Sequence, residues 1–498
     1  MADLCIDCSI PYIGANATTR FSYLTLVRGC YIATSLKTAS FTNTMANTQT
    51  QTSCLPSPPI AKVPTELLRE IFGLSTTREP WLQPHPNGEL PTFDTSALSI
   101  SCVSYTWRAI ALYSPELWTT MAVYNPSPKA LDLANLYLSR AGSGTPLSLF
   151  LTERAVRSWP NRESDDDEHH NESPMALIDL WLLQAERWQS LYFHFRGGPV
   201  PASLMSTPPD KFPLLRDVAI HPGPSGNFHE RCILSKFWDN INSLPTLRTA
   251  HWGSGVPLSA PFKQLTTFSL CRVPLATAYE VLRRCHRLEH FTIEFEYGEE
   301  ALSHLHMAAP IRLPLLRILH LGTDKDSTRT ETFLRNISTP RLQELVLHRI
   351  PPAALESILK RSKCTLRSLI IHFVSPRKRI IQCLRSLEGM GLLDGLERLE
   401  LRGYYPNSIF RLFQISRAPV PRITFPSLLS LQVGSANSPS DGKIGEMLLS
   451  RAKAGVCLRL FSCNVLAFVL PVNPKDTQTF KELEELGSVC KVDNSSWY

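Results

Sequence analysis

No stretch of this chain approaches the roughly eighteen consecutive apolar residues that a membrane-spanning helix needs. The longest apolar run, Val465-Leu-Ala-Phe-Val-Leu470, fits a buried strand instead. The first residues lack the charged and apolar regions of a secretory signal. The thirteen cysteines are odd in number and scattered. Several (Cys271, Cys285, Cys364, Cys383) sit inside a repeated pattern, which excludes a disulfide framework and suits reduced thiols in cytoplasm or nucleus. On the same ground the glycosylation sequons at Asn16, Asn171, Asn336 and Asn494 read as chance. There is no Gly-x-x-x-x-Gly-Lys phosphate loop and no Gly-x-Ser-x-Gly elbow. Cys5-Ile-Asp-Cys8 has no second pair to complete a zinc site, and His286 and His290 lack the glutamate of a zinc-protease helix. These absences argue against an enzyme and give no cofactor or metal. The formal net charge of +7 is too dispersed for a nucleic-acid groove.

What the chain has is a recurring phrase. Its clearest copies are Leu342-x-x-Leu345-x-Leu347, Leu366-x-x-Leu369-x-Ile371, Leu396-x-x-Leu399-x-Leu401 and Leu428-x-x-Leu431-x-Val433. Upstream copies centre on Leu191, Val218, Ala250, Phe268, Phe291 and Leu319. A phrase returning every twenty to thirty-odd residues is the mark of a stacked repeat. Two apolar positions two apart point the same way from a strand, and a helix must return the chain so that the next strand can lie parallel. Leu270–Arg284 repeats almost word for word as Leu347–Arg361: strand, Val/Ile-Pro, amphipathic helix, basic end. Pro274 and Pro351 stop the strands, and Arg283-Arg284 and Lys360-Arg361 suit a helix C-terminus. The expected fold is therefore α/β, a solenoid of parallel strands with helices on the convex side.

The phrase resembles the leucine-rich repeat in an irregular form. A regular repeat carries Asn three residues past the last leucine. Here Val273, Asp324, Ile350, Val374, Tyr404 and Ala436 hold that place, so the resemblance implies an uneven ladder there.

A second pattern precedes the repeats. Val63-Pro64-Thr-Glu-Leu67-Leu68-Arg-Glu-Ile71-Phe72 reads as a helix start with one apolar face. Further on, Ala97-Leu-Ser-Ile-Ser-Cys-Val103-Ser-Tyr-Thr-Trp107-Arg108-Ala-Ile-Ala111 places Val103, Trp107, Ile110 and Ala111 at helical spacing. It leads into Ser114-Pro115-Glu-Leu117-Trp118. Together these segments resemble an F-box like those of mushroom-forming (basidiomycete) fungi. Val63 replaces the usual Leu, Ser104 the common Cys, and Tyr105-Thr106 the usual basic pair. The resemblance implies that Pro64, Leu67, Leu68, Ile71, Phe72, Val103, Trp107, Ala111, Leu117 and Trp118 bind a Skp-type adaptor and through it a cullin. The chain would then be the substrate-recognition subunit of a ubiquitin ligase that sends a target to proteasomal degradation. A non-ligase scaffold and a plain protein-binding repeat stand as alternatives.

The organisation expected is a loose segment 1–59, an F-box at 60–123 and a solenoid at 124–470 with a short tail. Met45 is a candidate alternative start. Residues 73–96, rich in Pro, read as a loop between the F-box helices, and 160–174, with Glu163-Ser-Asp-Asp-Asp-Glu-His-His170, as a polar insertion. A helix is expected at Leu133–Ala141, a strand at Leu147–Leu151 and a helix at Met175–Glu186. The tail 471–498 reads as loose around a short acidic helix, Phe480–Leu486. If the leucines face inward, His194, His221, His251, His290, His320, His348 and His372 share the other face of the strands. They make a candidate proton-sensitive surface for a protein substrate, with affinity changing between about pH 6 and 7.5. Lys360, Arg361, Lys363, Arg367 and Arg377-Lys-Arg379 form a second candidate, for an acidic or phosphorylated target. Pro376-Arg-Lys-Arg379 also resembles a nuclear import signal.

Overall fold

The computed structural model describes residues 59–76, 93, 95–124, 126–153, 172–195, 201–221, 237–252, 262–295, 310–322, 327–348, 351–372, 377–406, 409–415, 423–437, 442–465, 474–485 and 489–493. The segment before 59, most of the Pro-rich insertion, the acidic part of the second insertion and Cys5/Cys8 lie outside them. The chain divides into two compact units, one ending at Leu117 and the other formed by Leu90–Thr95 with the chain from Trp118 onward.

The first unit is helical. Helix α1 (Thr65–Thr76) packs on α2 (Ser96–Ser101) and α3 (Tyr105–Leu112). The α2–α3 boundary is set by one side chain: Ser104 has extended backbone, and its hydroxyl accepts from Trp107 N at 3.1 Å, an N-cap. Val103 therefore lies in the turn and not on the helical stripe expected for it. The Phe72 and Trp107 rings meet at 4.7 Å between centroids.

The second unit is an α/β stack. Its strands are β1 (Thr120–Tyr124), β2 (Leu147–Thr152), β3 (Trp188–His194), β4 (Asp217–His221), β5 (Thr249–Trp252), β6 (Thr267–Val273) and β7 (His290–Phe295). There follow β8 (Ile311–Arg312), β9 (Ile318–Leu321), β10 (Ile337–Ser338), β11 (Glu344–Leu347), β12 (Ser368–Ile371), β13 (Arg398–Pro406), β14 (Ser430–Asn437), β15 (Leu460–Val465) and β16 (Val489–Asp493). All but β8 and β10 form one fourteen-stranded sheet in chain order, and every neighbouring pair in it is parallel. β8 and β10 pair with each other alone.

Register accounts for the recurring phrase. Leu191, Val218, Ala250, Phe268, Phe291, Leu319, Leu345, Leu369, Leu399 and Leu431 are successive partners across the sheet. The column extends to Met121 and Leu149 at one end and to Phe461 and Cys490 at the other. A second column two residues on runs from Val123 through Leu151, Leu347 and Leu401 to Cys463. Both columns are buried throughout their described length. Helices cover this leucine face: α4 (Pro128–Ala141), α5 (Glu172–Leu182), α6 (Ala202–Ser206), α7 (Leu275–Arg284), α8 (Ser327–Arg335), α9 (Pro352–Ser362), α10 (Arg377–Gly389), α11 (Phe410–Phe413), α12 (Lys443–Lys453) and α13 (Pro474–Glu485). Phe333 of α8 packs on Phe291 and Phe295, Trp181 of α5 on Phe193, and Phe410 of α11 on Phe461.

The missing Asn ladder has a visible consequence. The pairing slips between Leu270 and Val273, between Leu401 and Tyr404, and between Val433 and Ala436. Those slips end on the positions where a regular repeat has Asn. Arg272 takes a left-handed conformation (φ 54°) at the first of them. At each slip one strand carries one extra residue, so the ladder bulges there.

Several boundaries differ from the sequence expectation. The sheet begins at Thr120, inside the span given to the helical module, and ends at Asp493, beyond the span given to the repeats. The stretch read as a tail is packed: buried Asp476 accepts from Gly445 N at 2.6 Å, tying α13 to α12. The strand expected at 465–470 is Leu460–Val465, and 466–470 fall outside the described residues. Helix α4 starts earlier than Leu133, at Pro128. Helix α5 starts at Glu172 and stops at Leu182, with a separate 3-10 turn at Ala185–Arg187. Inside the expected loop 73–96, helix α1 runs on to Thr76, and Phe93 bridges Val123 antiparallel, buried against Tyr137.

Because Leu369 fills the column between Leu345 and Leu399 and is fully buried, Leu369→Ala is expected to lower unfolding free energy by about 2–5 kcal/mol. Gln432→Ala, on the opposite face, is expected to change it by about 0.5 kcal/mol or less. Denaturant titration of both variants checks this; equal effects would contradict the register.

Candidate functional site

Two surfaces carry the sequence candidates. On the helical unit, burial divides the expected adaptor residues. Leu67, Ile71 and Val103 are exposed (51, 38 and 58 %), and Pro64 is exposed beside them in the chain. Leu74, Leu112, Tyr105 and Tyr113 are exposed as well, and the sequence reading missed them. The signal was present: Leu67, Ile71 and Leu74 recur at helical spacing. Leu68, Phe72, Ala111 and Leu117 are buried and Trp107 is half-buried. Leu68, Phe72, Ala111 and Leu117 are corrected from surface anchors to interior packing, because a side chain already removed from water has no apolar area left to offer a partner; Trp107 keeps part of its ring exposed. Trp118 is corrected most plainly. It is fully buried in the second unit, with its ring against Tyr137 (5.0 Å) and the Arg140 guanidinium over it at 4.3 Å. An ion pair between Arg69 and Glu116 ties α1 to the 3-10 turn Pro115–Trp118.

The second surface is the sheet face opposite the leucines. Strand alternation places all seven named histidines there, since each stands an odd number of residues from its column centre. They do not form one cluster. His194 and His221 lie 5.7 Å apart between ring centroids, with Tyr192 against His221. His348 and His372 stack at 4.2 Å. His320 is buried, and its Nε2 lies 3.2 Å from Glu344 Oε1. Arg402 Nη1 donates to His372 Nε2 at 3.3 Å. A guanidinium can only donate, so that nitrogen must accept, and the His372 proton sits on Nδ1.

Burial changes the titration expected of these rings. It pushes His221 and His251 down to about 4. Burial, with the charge of Arg402 nearby, pushes His348 down to about 4, and burial with the adjoining His348 pushes His372 to about 3. These four rings are therefore neutral between about pH 6 and 7.5 and supply no switch within that window. Burial also lowers His290. Glu344 is held below the usual carboxylate range; burial opposes this, and the His320 hydrogen bond and Arg398 charge outweigh it.

The basic candidate is dispersed. Arg361 donates to Ile337 O at 2.9 Å and to Leu334 O at 2.6 Å, which spends its guanidinium on the carbonyls of the preceding repeat. Lys360 pairs with Glu356 at 2.6 Å on α9, and Arg367 with Glu397 at 3.7 Å. Lys363 caps α9 in a left-handed conformation. Sequence showed no acid between Lys360 and Arg379, yet the fold supplies acids from outside that interval. The side chains of Arg377, Lys378 and Arg379 fall outside the described residues.

A third cluster was not foreseen. On β13, Glu400 is 7 % exposed and accepts from Arg398 Nη2 at 2.9 Å and from Arg402 Nε. Residues i, i+2 and i+4 of one strand share a face, so this Arg-x-Glu-x-Arg pattern was legible in principle.

Burial also quiets the thiols. Among the described residues Cys285 and Cys463 are buried, and burial pushes both thiols up to about 12. No helix of the described residues is long and apolar enough to cross a membrane. No group of three or more metal-ligating side chains occurs among the described residues. No protein-family model matches the chain, and no curated protein matches it.

The depressed imidazoles give a testable pH dependence. The unfolded chain protonates these rings near 6.5, the folded chain only near 4 or below. Their contribution to stability is therefore intact above about pH 6.5 and is lost as pH falls toward 4, because the unfolded state binds more protons in that interval. Unfolding titrations from pH 7.5 to 4.5 are expected to show this decline, and His348→Gln/His372→Gln to make it shallower. An unchanged slope would contradict the burial account.

Proposed function

We propose that the chain is a bridging subunit: its helical unit holds a Skp-type adaptor, and its repeats hold a protein target for ubiquitination through the associated cullin. The resemblance of 60–118 to an F-box suggests the adaptor. The observation that carries the reading is the exposure of Leu67, Ile71, Leu74, Val103 and Leu112 on one small helical unit. Large apolar side chains left in water at that density mark a contact surface. Support for the target-holding half is the sheet face opposite the columns, which carries the paired rings and the Arg398–Glu400–Arg402 cluster. We read the protein as carrying position and no catalytic step. Cytoplasm or nucleus is the compartment that fits the free thiols and this role.

Co-expression with a Skp-type adaptor tests the proposal. Leu67→Asp/Ile71→Asp is expected to weaken capture by about 2 kcal/mol or more while leaving thermal unfolding near wild type, since both residues are exposed. Trp118→Ala is expected to destabilise the fold by about 3–5 kcal/mol. Adaptor retained together with cullin supports a ligase subunit; adaptor without cullin indicates a scaffold; no adaptor capture by the wild-type chain rejects the proposal.

A further inference from the structure

We propose that the polar face of β12–β14 is a docking site for an acidic peptide segment, with an aspartate or glutamate carboxylate received by Arg398 and Arg402. This rests on the reading that the repeats hold a protein target and names the chemistry of that target.

Glu400 sits between two guanidiniums on one strand and is itself almost wholly buried. It fixes the orientation of both arginines and neutralises one of their two charges. Arg398 and Arg402 remain about a third exposed (33 and 39 %), so one positive charge is left facing outward on a rigid support. Glu344, two strands away, is close enough to feel the charge of Arg398 and bonds His320, so the uncompensated charge lies on the Arg402 side of the cluster. Stacked His348 and His372 beside Arg402 are neutral, so they neither cancel nor add to that charge at neutral pH.

The Arg402 guanidinium is held in place: its Nε donates to Glu400 and its Nη1 to His372, while the side chain stays 39 % exposed. A pre-oriented, partly exposed guanidinium suits fork-like recognition of a carboxylate. Gly434 of β14 packs directly against this strand: a Cβ there would come within 3.2 Å of Arg402 Cα and 2.7 Å of Gly403 N, so the backbone that carries Arg402 is held closely by its neighbour. A single surplus charge matches a carboxylate better than a phosphate dianion, which would bring excess negative charge against buried Glu400. Extended peptides suit a sheet face of this kind, with side chains read at alternate positions.

The test is fluorescence anisotropy on the full chain with three labelled peptides: Gly-Asp-Glu-Gly-Glu-Asp-Gly, its Asn/Gln counterpart, and a version carrying phosphoserine in place of the acids. The acidic peptide is expected to bind about tenfold or more tightly than the amide peptide. Arg402→Gln is expected to remove most of that difference, and Arg402→Lys part of it, because lysine keeps the charge but not the fork. Lys211→Gln alters charge equally at a remote exposed position and is expected to change nothing. Thermal melts confirm that each variant is folded; if Arg402→Gln is not, Arg402→Lys decides. Equal losses for Arg402→Gln and Lys211→Gln, equal binding of the amide peptide, no binding of the acidic peptide, or binding of the phosphopeptide alone would each overturn the proposal. Adaptor capture is scored separately in the same variants, so failure here with capture intact leaves the bridging role standing, and the reverse rejects only that role.

Discussion

The structure depends on two apolar columns that no single repeat can complete. Each strand contributes two inward side chains, and each is covered by those of its neighbours and by the helix that returns the chain. Leu345, for example, lies between Leu319 and Leu369, and Leu347 between Leu321 and Ile371. Removing those neighbours would leave the same residues in water. Cohesion is therefore passed from strand to strand along the sheet, and the main-chain ladder fixes the register that makes the columns continuous.

The same constraint frees the opposite face. Once alternate positions are committed to the columns, the others need only be compatible with a strand. They carry the chemistry: the ring pairs His194–His221 and His348–His372, the His320–Glu344 contact and the Arg398–Glu400–Arg402 cluster. Several of these groups are nonetheless half-buried or buried, since strands about 4.8 Å apart shield one another's side chains. That shielding takes the imidazoles out of the physiological titration range.

The columns were legible in sequence because their spacing is a local property of the phrase. All ten centres recognised there prove to be ladder partners. Of the sheet strands outside those ten, β1 and β16 have Met121 and Cys490 in place of leucine at the column centre, and β15 lies at Leu460–Val465, ahead of the apolar run at 465–470. The sites were less legible. Helical spacing places Leu68 and Leu67 one step apart on α1, yet one is buried and one exposed, a distinction set by where α2 and α3 pack. Arg361 looked like a free cation until the fold brought the Leu334 and Ile337 carbonyls to it. Charge partners far apart in sequence, such as Arg367 and Glu397, cannot be read from a window of neighbours.

The proposed function divides the chain into a helical handle for an adaptor and a repeat sheet for a target. Amide hydrogen exchange of the full chain, with and without a Skp-type adaptor, tests that division most directly. The account predicts new protection confined to 65–76 and 103–113, with the sheet strands unchanged. Protection spread over the strands, or none in the helical segments, would contradict it.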